Sequence, residues 1–247
     1  MRLQLSTWPD IQQYLEHSHG IIVPIGSTEQ HGPNGLIGTD AICPEVVAHE
    51  VGKRIGVLVA PTLSIGMAQH HLAFPGSISF RPTTLIAVIR DVVQSLARHG
   101  FRNIYFFNGH GGNVATVNAA FAEIHSEASF TGSGTSAPSL KLANWYMGRR
   151  VQAISRELFA DSEGAHATPS EISLTWHAYP DHAQPMTLEP RLAPSSHFGD
   201  ARDYRQRFPD GRIGSDPSLA SIEAGTRLFE ASVEDTIEDY RAFVQTS

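Results

Sequence analysis

The stretch IIVPIGSTEQHGPNGLIGTD, Ile21 to Asp40, decides how this chain is read. Ile21 to Gly26 is short, β-branched and closed by glycine, the pattern of a strand buried on both faces. The turn-rich loop after it carries Glu29, His31 and Asp40. Beyond the loop, DAICPEVVAHEVGKRIG starts on an aspartate able to cap a helix and ends on Gly56. Ile42, Val46, Val47 and Val51 recur along it at roughly helical spacing. Strand, polar loop and helix therefore follow one another, with two carboxylates and an imidazole at the strand's end.

The same unit recurs downstream. VLVAP, Val57 to Pro61, reads as a second strand, and the loop after it holds Gln69, His70 and His71 before FPGSISF. Leu85, Val88, Ile89, Val92, Val93 and Leu96 form an apolar helical stripe that Gly100 stops. NIYFFNGHGGN is an aromatic and β-branched strand breaking into a glycine-rich loop, and VATVNAAFAEIHSEA is the helix that follows. TGSGTSAPS, Thr131 to Ser139, reads as a flexible surface loop and LKLANWY as a further strand. Alternation with short connections predicts an α/β fold with a mostly parallel sheet covered by helices on both faces. No linker or repeat divides residues 1–247, so a single domain is expected. In such sheets ligands bind at the carboxyl ends of the strands. Glu29, His31 and Asp40 belong to one such end, His70 and His71 to another, and His110 to a third.

Composition narrows the partners. With 41% hydrophobic and 17% charged residues the chain is an ordinary globular protein. Its net charge of -7 comes without a basic cluster, which argues against nucleic acid and anionic membrane and favours a small molecule. Cys43 is the single cysteine, so a metal would have to be held by His, Asp and Glu. The N-terminal residues lack the pattern of a signal peptide and no apolar run approaches about 18 residues, so a cytoplasmic location is expected.

Glu29 and His31 are two apart and point to the same side of an extended backbone, where Asp40 can fold back to meet them. Mixed imidazole and carboxylate ligands suit Zn, Mn or Fe. The plainer alternative makes Glu29 and His31 solvated loop residues and Asp40 a helix cap. NGHGGN lacks the spacing of GxGxxG and the lysine of GxxxxGK[ST], so it is a poor phosphate loop. Its glycines either serve a tight turn with His110 incidental, or leave His110 unobstructed as a ligand. In GAHATPSEIS, Thr168, Pro169 and Glu171 spell a capping box, and on the residues alone the cap is the stronger reading of Glu171. The other reading puts Glu171 in the crevice as a ligand or proton carrier, with His166 as a second acid or base. His49, His99, His125, His177, His182 and His197 read as surface or core residues. Cys43 reads as packing rather than a nucleophile, and no GxSxG elbow is present.

VPIGSTEQHG, Thr39–Asp40, HHLAFPGSIS, FFNGHGGN and HATPSEIS, in this order, together resemble the creatininase family of metal-dependent amidohydrolases. The resemblance spans roughly residues 20 to 180, and GRIGSDPSLASIEAG, Gly211 to Gly225, is similar to the family's C-terminal segment. It implies a three-layer α/β/α domain with one or two divalent ions (Zn, Mn or Fe) and a homo-oligomer, often a hexamer. By residue-to-residue match, Glu29, His31, Asp40 and His110 fall on metal positions, with Asp40 as the bridge. Glu171 matches a family glutamate of the site, which raises a ligand or catalytic role above the cap, and His71 matches a pocket position before FPG. Three departures stand out. Asn34, Gly35 and Leu36 replace the family's usual residues at the pocket lip. Gly112 stands where creatininase proper has a carboxylate, making Glu171 the substitute ligand. Ser162 and Glu163 replace a Trp-Asp pair, which argues against creatinine itself. The implied activity is hydrolysis of a nonpeptide or cyclic amide. A formamide deformylase of a purine-like or pyrimidine-like precursor, or a noncatalytic metal-stabilised ligand-binding subunit, are the alternatives.

Overall fold

The computed structural model describes residues 1–132 and 137–246. The part of the expected surface loop at 133–136 therefore lies outside the described residues. Four parallel strands form one sheet in the order β2-β1-β3-β4: β1 (Gly20–Ile25), β2 (Leu58–Val59), β3 (Asn103–Asn108) and β4 (Ser139–Asn144). In register, Ile25 pairs with Asn108 and Asn108 with Asn144, so β1, β3 and β4 end level with one another.

Alternation along the strands splits the core into two layers. Ile22, Tyr105 and Phe107 face one layer, built from α2 (Thr39–Ile55), α5 (Arg149–Phe159), α6 (Pro169–Ala178) and α8 (Ile222–Thr246). Ile21, Val23, Ile25, Ile104 and Phe106 face the other, built from α1 (Trp8–Leu15), α3 (Pro82–Arg98) and α4 (Val114–Thr131). The three-layer α/β/α expectation holds. Helix α7 (Ala201–Arg207) lies in the segment after α6, where buried Tyr204 packs with Phe74, Phe208 and Ile213. Among the described residues no helix is long and apolar enough to cross a membrane.

Two strands differ from their expected bounds. β2 is two residues long, because beyond it the chain pairs with β1 through isolated bonds, Ala60 N–H to Ile22 O, Leu63 N–H to Pro24 O and Gly26 N–H to Leu63 O, with Pro61 in between lacking an N–H. β4 stops at Asn144, and Trp145–Met147 turns into a 3₁₀ helix that buries Trp145 in the first core layer.

The ends of β1 and β3 press against the start of α2. A Cβ at Gly26 would lie 2.1 Å from the Asp40 carbonyl oxygen, and one at Gly109 2.0 Å from the same atom. Only glycine permits both approaches, and together they bring the first turn of α2 against the two strand ends.

Candidate metal centre

Asp40 does not cap α2, contrary to the plainer expectation. The cap position is Gly38, no side chain caps the helix, and Asp40 sits inside the first turn. Its carboxylate turns toward the strand ends instead. Oδ1 lies 3.1 Å from His31 Nε2 and Oδ2 lies 2.9 Å from His110 Nδ1. Glu29, fully buried, joins them: Oε2 accepts from Ser27 Oγ at 2.8 Å and lies 3.4 Å from His110 Nε2. Glu29, His31, Asp40 and His110 are thus brought together from the loop after β1, the start of α2 and the loop after β3.

The loop after β3 is fixed by its asparagines. Asn108 Nδ2 donates to the His110 carbonyl at 2.7 Å and to Asn144 Oδ1 at 2.8 Å, while Asn113 Nδ2 donates to the Gly26 carbonyl at 2.9 Å. His110 Nε2 donates to the Met67 carbonyl at 3.1 Å, which leaves Nδ1 to face Asp40. Likewise His31 Nδ1 donates to the Glu29 carbonyl at 3.1 Å and leaves Nε2 to face Asp40. Each imidazole spends its outer nitrogen on a backbone carbonyl and turns the other inward, as metal-ligating histidines do.

The donor set suits a cation. Glu29 Oε1 and Asp40 Oδ2 are buried without a hydrogen-bond partner. Imidazole nitrogens lie close to both, 3.0 Å away on His71 and 2.9 Å away on His110, but off the hydrogen-bonding direction. Buried carboxylate oxygens left so are costly unless a positive charge joins them. Electrostatics point the same way. Burial works to lower the His31 pKa, but the Asp40, Glu171 and Glu29 carboxylates outweigh it and raise it to about 10. At His110, burial is again outweighed, by Glu29 and Asp40, and the pKa rises to about 9. Burial pushes Asp40 up, yet His31 and His110 hold it well below the usual carboxylate range. The pocket favours positive charge at the inner nitrogens, which a divalent ion supplies.

Beside this cluster lies a cavity of about 500 Å³ whose walls include Asp40, His71, His110, Glu163, His166 and Glu171. Glu171 closes the expected capping box and also faces the cavity. Its carboxylate accepts from Thr168 N–H at 2.6 Å while Thr168 Oγ1 accepts from Glu171 N–H at 3.2 Å, closing the capping box, and Oε1 is 4.0 Å from His31 Nε2. Burial raises its pKa to about 7, despite the opposing pull of His31. His166 Nδ1 and His71 Nε2 both face Glu29 Oε1, at 3.9 and 3.0 Å. A Cβ at Gly112 would fall 2.4 Å from His110 Nε2 and 2.8 Å from the Met67 carbonyl, so this loop as folded has no room for a side chain there. The substitute expected for it, Glu171, stands by His31 rather than by His110.

Two residues to which the sequence assigned no site role also belong here. Glu163 hydrogen-bonds Ser170, and burial raises its pKa. Gln30 reaches His71 and His166 with one amide. The signal for Gln30 was its place between Glu29 and His31, but strand alternation directs attention to its neighbours instead. Cys43 is fully buried, as expected of packing.

A parallel sheet between two helical layers, with carboxylates and imidazoles gathered at its strand ends, is the architecture of a hydrolase of the creatininase type. The sequence pattern of the family described as Creatininase: Creatinine amidohydrolase matches residues 4–240, and the chain belongs to the creatininase family. The mycofactocin precursor peptide peptidase of Mycolicibacterium smegmatis is 36% identical over 230 residues, covering 86% of this chain and 81% of that protein. The 3-dehydro-scyllo-inosose hydrolase of Thermotoga maritima is 26% identical over 263 residues, covering 94% of this chain and 79% of that protein. A solved structure described as Creatininase Mn superposes with a TM-score of 0.84 at 25% identity, covering 98% of this chain and 97% of the other. Members of the family are hydrolases, and this chain is one of them.

Proposed function

We propose that the chain hydrolyses an amide carbon–nitrogen bond in a nonpeptide or cyclic small molecule, using one or two divalent ions (Zn, Mn or Fe) held by Glu29, His31, Asp40 and His110, with Asp40 between the two imidazoles. The observation that carries this reading is the convergence of those four side chains around buried carboxylate oxygens without hydrogen-bond partners. The manganese named for the solved creatininase and the amide-type bonds named for relatives support it. A divalent ion held there would polarise a carbonyl and lower the pKa of a water from 15.7 toward about 7. Glu171, with a pKa of about 7 and a carboxyl on the same cavity, takes the proton from the attacking water and returns it to the leaving nitrogen. His166 serves as the second acid or base, and His71 forms the wall beside the substrate. The cavity suits a compact substrate, since pockets of roughly 300–1,000 Å³ enclose drug-sized molecules. The reading includes a homo-oligomer, which light scattering on the purified chain tests.

The test is elemental analysis of wild type and His110→Ala, purified identically without chelators, followed by a turnover screen of small amides. About two equivalents in wild type, reduced in the variant, with turnover of an amide, is the expected result. Formate among the products would transfer the assignment to a formamide deformylase, and a released amino acid to a peptidase like that of M. smegmatis. Absence of metal from wild type, with no turnover in the screen, would leave a ligand-binding subunit.

A further inference from the structure

Gln30 lies between two of the proposed ligands, and its amide enters a slot bounded by His71, His166 and Gly211. Backbone groups fix the orientation of that amide at both ends. Oε1 accepts from Gly32 N–H at 2.8 Å, and Nε2 donates to the Gly211 carbonyl at 2.9 Å. The slot is shaped to it: Gly211 has φ 87°, and a Cβ there would lie 1.9 Å from Gln30 Oε1. A flipped amide would set its NH₂ against a donor and its oxygen against an acceptor.

One N–H of Nε2 remains, and two imidazole nitrogens lie 2.9 Å from that nitrogen, His71 Nδ1 and His166 Nε2. His166 Nε2 is also 2.9 Å from the Gln30 backbone carbonyl, which can only accept. A neutral imidazole has one donor and one acceptor nitrogen. One assignment leaves the fewest groups unpaired: His166 Nε2 donates to the Gln30 carbonyl and the remaining amide N–H goes to His71 Nδ1, so that only the His166 Nε2–Gln30 Nε2 approach carries no hydrogen bond. His71 must then carry its proton on Nε2, 3.0 Å from Glu29 Oε1, and His166 must leave Nδ1 bare, 3.9 Å from the same oxygen.

We infer that Gln30 is a positioning residue that sets the tautomers of His71 and His166 and so gives two neighbouring histidines different tasks. Glu29, His71 and His166 lie close enough to be taken for a ligand triad. The tautomers remove His71 from it, because its inner nitrogen carries a proton and has no lone pair to offer an ion. His166 keeps an inner lone pair, as a base on the cavity wall needs. The tautomer assignment rests on hydrogen bonds alone, and only its consequence for proton transfer rests on the proposed hydrolase activity.

The test is long-range nitrogen–proton NMR of the imidazole rings in the full chain, with and without added zinc, assigned through His71→Gln and His166→Gln. The expected wild-type spectrum shows both rings protonated at Nε2 and unprotonated at Nδ1. In Gln30→Glu, whose carboxylate can accept but not donate, the His71 Nδ1 resonance should shift from the unprotonated to the protonated range. Gln30→Leu should leave the His71 ring as a mixture of tautomers. Either ring protonated at Nδ1 in wild type overturns the inference, as does a His71 spectrum unchanged in a folded Gln30→Glu. The wild-type spectrum decides even where a variant does not fold, and it does so whether or not any amide is turned over.

Discussion

His31, His71, His110 and His166 meet around Glu29 and Asp40, and they divide into two pairs held in opposite states. His31 and His110 are pushed up to about 10 and about 9, because carboxylates outweigh their burial. At His71 burial, reinforced by His70, His31 and His110, lowers the pKa to about 2. Burial, with His71 and His31 beside it, likewise holds His166 well below its ordinary value. The pairs are not segregated in space, since the His31 and His166 rings are 4.6 Å apart and those of His71 and His166 4.4 Å apart. Partners, rather than depth, decide. One pair shares Asp40, and the other shares the neutral Gln30 amide, so that burial and the neighbouring imidazoles prevail there although Glu29 Oε1 lies 3.0 Å from His71 and 3.9 Å from His166.

The strongest way to break this contrast is Asp40→Asn, which keeps the shape and removes the charge common to the first pair. The His31 and His110 pKa values should fall toward 6.5, followed by proton NMR titration of the chelated protein. Metal affinity should drop by more than the roughly 10- to 100-fold that loss of an outer-shell partner costs, and elemental analysis should find less bound metal. Unchanged metal content would show that Asp40 is not the centre of this half.

Next in size is Glu171→Gln. The glutamine preserves the capping box, which accepts Glu or Gln at this position, and removes the titrating carboxyl. Turnover of an identified amide should fall by roughly 10²- to 10⁴-fold with the melting temperature nearly unchanged. Equal losses of activity and stability would instead mark Glu171 as a cap and nothing more.

These two residues also show how far the sequence could be read. The strand-loop-helix unit from Ile21 onward was legible because burial on both faces leaves a continuous apolar run, and both core layers follow from the alternation in β1 and β3. The capping box at Glu171 was legible because it is local. Asp40 was ambiguous, since a capping aspartate and an inward-facing one read alike until Gly26 and Gly109 are seen pressing on its carbonyl. The division of labour among the histidines was not legible, because Gln30 meets His71 and His166 across 41 and 136 residues of chain. Spacing rules do not reach that far.

The two pairs should also respond to pH with opposite sign. His71 and His166 have folded pKa values below the ordinary 6.5, so the stability tied to their neutral forms is complete above about pH 6.5 and is lost as pH falls. Each costs about 1.4 kcal/mol per pH unit on that limb. His31 and His110 behave inversely: their contribution is complete below about pH 6.5 and is lost as pH rises through about 9 and about 10. Urea unfolding of the chelated protein should therefore show a stability maximum near neutrality. His71→Asn should flatten the acid limb by about 1.4 kcal/mol per pH unit and leave the alkaline limb alone. An acid limb of unchanged slope would mean that His71 is not held neutral.

The smallest expected effect separates scaffold from site most cleanly. Thr168 Oγ1 lies 3.1 Å from Ser170 Oγ on the cavity wall and accepts from the Glu171 N–H at 3.2 Å. Thr168→Ala removes that bond, and an N-cap loss of this kind costs about 1 kcal/mol. The Glu171 carboxylate would keep its bond to the residue 168 N–H, which is backbone and survives the substitution, so it stays turned toward the cavity. The variant should thus lose stability in a urea titration while retaining wild-type metal content. If metal were lost along with stability, the helix start and the ion site would be one cooperative unit, and the separate roles assigned to Glu171 would merge.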